Sequence, residues 1–224
     1  MSIDQIFDDP YTAPRFASAA LITIDVQRDF LSEAPYGVAG TTEALPRIRE
    51  VVSAFRTAQR PVVHIVRLYD VGGGNAEPSR RRLLESGVDL AAPGTPGSQL
   101  AEGMAPAGAA ELDVDLLKSG RPQELGPHEF VLFKPRWGAF YRTGLDELLR
   151  ARGVDTLVFA GCNLPNCPRA SVIEACERDY RVVLVPDAVS RATEVGLAEI
   201  SGLGVHLVPA AELIGHLPGR APTP

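Results

Sequence analysis

The sequence predicts an α/β fold, a three-layer α/β/α Rossmann-like arrangement with a mostly parallel central sheet. Three observations predict it. Short apolar runs rich in β-branched residues alternate along the chain with stretches of helical periodicity. Several of those runs are apolar throughout, as strands buried on both faces are. Three of them end at, or lead into, a reactive polar residue: Asp25, Lys134 and the loop bearing Cys167. Binding sites in parallel sheets lie outside the carboxyl ends of the strands.

The first strand is residues 19–24, closed by Asp25 and followed by VQRDF. Thr41 or Thr42 caps a helix with Pro46 in its first turn. Leu45, Ile48, Val52 and Phe55 then recur at helical spacing to about Gln59. PVVHIVRL at 61–68 is the second strand. Residues 69–128 are the least regular part. GGGN at 72–75 reads as a turn, Arg80 to Arg82 open a short helix, and 112–117 alternates like an edge strand. A structureless stretch of this length is expected only where it covers something, so it is read as an excursion over the site.

EFVLFK at 129–134 is the next strand, and Thr143 caps a helix over 144–152. Residues 156–160 form a buried strand broken by Gly161, with a tight polar loop from Cys162 to Asn166. Pro168 suits the first position of a helix over 168–178. A residue before proline is pushed out of the helical region, which makes Cys167 the N-cap. A strand at 181–186, a helix at 192–201, a strand at 205–208 and a helix at 210–216 complete the domain, 19–216. Residues 1–18 form an arm with Phe7, Tyr11 and Phe16, and 217–224 a fraying tail.

The 224 residues suffice for one domain with a sizeable core. A formal charge of −6 argues against a nucleic-acid surface. No apolar run approaches the roughly 20 residues of a membrane helix, and the acidic N-terminus carries no signal segment, so a cytoplasmic protein with neither membrane nor nucleic-acid partner is expected. Three cysteines fit reduced thiols better than a disulfide framework.

Read together, the strand-end residues make a cysteine hydrolase. Cys167 stands at the positive end of a helix dipole, which favours thiolate, and Lys134 supplies a cation. Asp25 is the candidate base, taking the thiol proton and returning it to a leaving amine. Thiolate attack on a carbonyl leaves a thioester for water to hydrolyse. The loop at 162–167 offers backbone donors for the oxyanion at Asn163 and Cys167. Cys162 is a rival nucleophile or half of a metal site with Cys167. The C-x4-C spacing has no second pair or nearby histidine, so neither metal nor cofactor is expected. Cys176 and His64 read as core residues, and Gln27, Asp29 and Asp187 as loop supports. Arg80 to Arg82 are a solvated face or a lid contact. Phe30, Trp137 and Tyr141 either wall a substrate pocket or pack in the core. Arg67, ending the second strand, is a candidate for a substrate carboxylate.

The chain resembles the isochorismatase-like cysteine hydrolase superfamily over about residues 19–208. DVQRDF at 25–30 matches its D-x-Q-x-D-F, and KPRWGAF at 134–140 its K-x-x-x-S-A-F. GCNLPNC at 161–167 and PDAVS at 186–190 match its nucleophile loop and the segment beyond. The resemblance implies Asp25, Lys134 and Cys167 as a triad. It also implies a cis peptide between Cys162 and Asn163 that turns the Asn163 N–H into the oxyanion hole. Leu164-Pro165 stands where the family has Thr-Asp, and Gly138 where it has serine. HIVRLYD at 64–70 replaces the metal segment of the nicotinamidase branch, so a metal-dependent nicotinamidase is not expected. The implied activity is hydrolysis of an amide or ureido C–N bond of a small molecule through a thioester. The alternatives are vinyl-ether hydrolysis by proton transfer from Asp25 and a non-catalytic binding protein on the same scaffold. Assembly is common among the relatives, so a homo-oligomer is expected.

Overall fold

The structure is a computed structural model describing residues 9–219. Phe7 of the arm and residues 220–224 of the tail lie outside the described residues.

Seven strands form one sheet. They are β1 (Ala19–Ile24), β2 (Val62–Val66), β3 (Gln123–Gly126), β4 (Glu129–Phe133), β5 (Thr156–Gly161), β6 (Arg181–Val189) and β7 (His206–Leu207). Their order is β3-β4-β2-β1-β5-β6-β7, and every pair is parallel except β3 with β4. From β1 the chain builds outward to β2 and β4, then returns to place β5 on the other side of β1. The reversal of strand order therefore falls at the carboxyl ends of β1 and β5, where α/β sheets bind their ligands.

Both central strands are buried along their whole length. Ala19 and Leu21 of β1 share one core with Val158 and Ala160 of β5, while Ala20, Ile22 and Ile24 share the other with Leu157 and Phe159. The first core is closed by α1 (Thr41–Thr57) and α7 (Ala210–His216). The second is closed by α4 (Leu145–Arg150), α5 (Cys167–Cys176) and α6 (Glu194–Ser201). The three layers are thus the predicted ones.

A polar chain crosses the sheet interior. Thr23 Oγ1 lies 2.7 Å from His64 Nδ1, His64 Nε2 lies 2.8 Å from Glu129 Oε1, and Arg56 Nε donates to Glu129 Oε2 at 2.7 Å. His64 is the packed histidine expected, with a partner on each ring nitrogen. The described part of the arm lies on its own domain: Arg181 donates to the carbonyls of Pro10 and Ala13, and Phe16 stacks on His216.

Several boundaries differ from the sequence reading. Residues 112–117 are not an edge strand. Asp113 accepts from the Leu116 N–H at 2.9 Å and caps α3 (Val114–Lys118), which wins over the period-two pattern. The edge strand is β3 instead. The excursion also contains α2 (Pro78–Glu85). Gly40, at φ 87°, precedes α1, and Pro46 falls in the second turn. The Thr41 and Thr42 hydroxyls bond Ser190 and Glu33 instead of capping. Strand β6 runs on through Asp187, whose Oδ1 accepts from the Ala210 N–H at 2.9 Å and ties down the start of α7. Cys167 is the first helical residue, with Asn166 as the N-cap. Pro168 tolerates the second position because the first four N–H groups of a helix have no intrahelical partner.

Candidate active site

The ends of β1, β4 and β5 each lead to one of the candidate side chains. Asp25 leaves β1 with φ 52°, a left-handed conformation that aspartate tolerates, and its N–H donates to the Ile65 carbonyl at 2.9 Å. Lys134 leaves β4 with its N–H on the Val66 carbonyl at 3.0 Å. The end of β5 is pressed against β1. Gly161 has φ 122°, and a Cβ there would lie 2.3 Å from the Ile24 carbonyl oxygen, so only glycine fits. The Cys162 N–H bonds that same oxygen at 2.8 Å.

The loop then runs through a cis peptide between Cys162 and Asn163, as the resemblance implied. The Leu164 N–H donates to the Ser190 carbonyl and the Asn166 N–H to the Asn163 carbonyl. The N–H groups of Asn163 and Cys167 have no acceptor among the described residues.

Lys134 Nζ lies 2.9 Å from Asp25 Oδ2, and both side chains are buried. Burial works against the Lys134 ammonium, but the facing Asp25 carboxylate and the Cys167 sulfur outweigh it and hold the group above its ordinary value. The half-buried Cys167 lines the same cavity as Asp25, and its thiol feels the charges of both Asp25 and Lys134. Burial, then the Asp25 charge, pushes it up to about 12, with Lys134 pulling the other way. Desolvation and the facing Asp25 carboxylate thus act against the thiolate that the helix end and Lys134 favour.

The expected result is that iodoacetamide modifies Cys167 at a rate that keeps climbing past pH 10. Asp25→Asn removes the carboxylate but leaves Lys134, so the midpoint of that profile should fall by at least about one pH unit, equivalent to about 1.4 kcal/mol. Peptide-resolved alkylation rates across pH check this; a plateau near pH 7 in the unaltered protein would contradict it.

Beside these groups is a cavity of about 20 Å³, room for one water-sized group. Phe30, Arg67 and Trp137 line it, as anticipated. Tyr141 does not; it lies in a neighbouring groove. The sequence reading missed Tyr69, Glu77 and Asn166 as cavity walls, and Arg80 comes from the excursion as a rim residue. Arg67 is mostly committed. Its terminal nitrogens donate to Glu77 Oε2 at 3.2 Å and to the carbonyls of Leu68, Asn75 and Lys134, while Nε has no partner among the described residues. Glu77 in turn accepts from the Tyr69 hydroxyl at 2.8 Å and from Trp137 Nε1 at 3.3 Å. Gln27 holds the wall together, bonding the Arg67 backbone from both ends of its amide and the Ser98 carbonyl. Asp29 accepts from the Ala91 N–H at 2.6 Å. Cys162 lies deeper, where burial pushes its thiol up. Among the described residues, no three His, Cys, Asp or Glu side chains are grouped so as to hold a metal ion.

The family described as the Isochorismatase domain matches residues 19–115 and 112–201. The chain belongs to the isochorismatase family. An isochorismatase family protein from Desulfovibrio vulgaris is 36% identical and superposes with a TM-score of 0.76, over 89% of this chain and 98% of that one. A protein of Arabidopsis thaliana described as a probable inactive nicotinamidase is 33% identical over 84% of this chain and 89% of its own length. The ureidoacrylate amidohydrolase of Methylobacterium radiotolerans is 30% identical over 79% and 68% respectively. The N-carbamoylsarcosine amidase of Thermoplasma acidophilum has the same fold, with a TM-score of 0.69 at 23% identity, covering 87% of this chain and 98% of that one.

Two departures from the family pattern have a physical basis here. A Cβ at Gly138 would sit 2.2 Å from Glu174 Oε2, which accepts from the Phe140 N–H at 2.8 Å. The Glu174 carboxylate fills the space that the family's serine would take. At the second strand, His64 is bound within the sheet and Asp70 pairs with Lys118, so neither faces the cavity.

Proposed function

We propose that this isochorismatase-family chain is a cysteine hydrolase that cleaves an amide or ureido C–N bond of a small molecule. The observation that carries the reading is the buried Asp25–Lys134 ion pair, 2.9 Å long, with Asp25 and Cys167 lining one cavity.

Asp25 takes the thiol proton as the sulfur attacks the carbonyl, so charge separates only when substrate is in place. A high resting thiol value suits this concerted transfer. The oxyanion is received by the N–H groups of Asn163 and Cys167, which are left without protein acceptors. Protonated Asp25 then hands its proton to the leaving amine, and later activates water against the thioester. Lys134 stabilises the charge of Asp25 and of the sulfur throughout. Arg67 Nε is left to hydrogen-bond a substrate oxygen.

The ureidoacrylate and N-carbamoylsarcosine activities of the relatives support a C–N bond as the target. One relative is described as inactive, and for that reason the retained and converging Asp25, Lys134 and Cys167 matter more here than family membership. The test is a panel of small primary amides, N-carbamoyl compounds and a chorismate-derived vinyl ether, read by ammonia and product release. Release of amine or ammonia is expected from the first two classes. Turnover of the vinyl ether alone, or of nothing, would overturn the reading.

A further inference from the structure

The cavity beside Cys167 is narrow, about 20 Å³, the room one water-sized group needs. A larger substrate extends beyond it. A groove of about 580 Å³ adjoins it, and Glu77 and Trp137 border both spaces. The far walls of the groove are Pro78, Arg136, Tyr141 and Glu174.

The polar groups of this groove are largely used within the protein. Trp137 Nε1 donates to Glu77, Arg136 Nη1 to the carbonyls of Asn75 and Pro135, and Glu174 Oε2 accepts from the Phe140 N–H. The aromatic faces of Trp137 and Tyr141 remain open, beside the exposed Ser79 and Arg136. Trp137 is 40% exposed and Tyr141 45% exposed, which is unusual for large aromatic side chains beside a site. Gly138 adds no side chain between them, because the Glu174 carboxylate occupies that space.

We propose that the substrate carries an aryl or similarly flat apolar group, a few bonds from the scissile carbonyl, which lies in this groove against Trp137 and Tyr141. The proposal rests on the hydrolase reading for the carbonyl end, and adds a substrate class to it. Aromatic rings favour stacked or edge-on contact with such surfaces beyond the area they bury. The connection through Trp137 makes the groove a continuation of the site.

Trp137 is the single tryptophan of the chain, so its emission reports on the groove directly. The probes are ω-phenylalkanamides with two to four methylenes, straight-chain amides of equal length, and acetamide. Binding is read by tryptophan fluorescence in the Cys167→Ala protein, and kcat/KM in the unaltered protein provides a second measurement. The phenyl amides should bind, and be turned over, at least about tenfold better than the straight-chain amides, with a shift or quench of the emission. Tyr141→Ala should bring the phenyl-to-alkyl ratio towards one. A ratio near one in the unaltered protein, or an emission that no phenyl amide moves, overturns the proposal. So does an emission that changes with protein concentration and not with amide, because a second copy of the chain then covers the groove. Phenyl amides that bind with the emission change but are never turned over would sink the hydrolase reading and leave the groove. Turnover without phenyl preference would do the reverse.

Discussion

Replacing Cys167 by alanine should lower amide turnover by about 10⁴- to 10⁶-fold, the scale seen when a covalent nucleophile is removed from a catalytic group that acts as a unit. The cost to stability should be small, about 1 kcal/mol or less. The side chain is only half-buried, and it packs at the margin of the second core. Serine in its place should rescue little, because Asp25 must then deprotonate a far weaker acid than a thiol. Steady-state kinetics beside a thermal melt separate the two effects. Appreciable amide turnover by Cys167→Ala would mean that the sulfur is not the attacking atom. Proton transfer from Asp25 would then become the better explanation, and Asp25→Ala should be the inactive protein.

Lys134→Met is expected to be the most destabilising of the site substitutions. It leaves the Asp25 carboxylate buried without its cation, and breaking a buried pair from one side costs about 3–5 kcal/mol. In a chain of 224 residues that corresponds to a fall of roughly 10 °C in melting temperature. Changing both partners, Asp25→Asn with Lys134→Met, should recover most of the loss, since no uncompensated charge remains. Neither protein should turn over amide. A double-mutant cycle of melting temperatures, with kinetics alongside, checks this. For comparison, breaking the exposed Arg47–Glu50 pair should leave the melting temperature nearly unchanged. If Lys134→Met melts like the unaltered protein, the buried ion pair is not holding the site together.

The fold was legible because the central strands are buried on both faces and therefore apolar along their whole length. The three reactive residues stood out because each follows such a run. Their convergence depends on strand order, which no local pattern contains; the sequence pointed only to a shared sheet edge, and the family resemblance to a triad. The walls were far less legible. Nothing about Glu77, before a proline in a polar stretch, marks it as the acceptor for Arg67, Tyr69 and Trp137. The excursion misled for a similar reason. Asp113 and Asp115 alternate with apolar residues as in a strand, but the Asp113 carboxylate is better used capping a helix. The forces on the Cys167 thiol were only half legible. The helix dipole is local and readable, whereas the burial and the Asp25 carboxylate that act against a thiolate come from elsewhere in the chain.

Intact-mass spectrometry of the protein, acid-quenched during turnover of an amide or N-carbamoyl substrate, tests the covalent step most directly. A species heavier by the acyl group, with the modification mapped to the peptide bearing Cys167 and absent in Cys167→Ala, is the expected result. Product accumulating while every molecule of enzyme keeps its unmodified mass, under conditions that make deacylation slow, would contradict it.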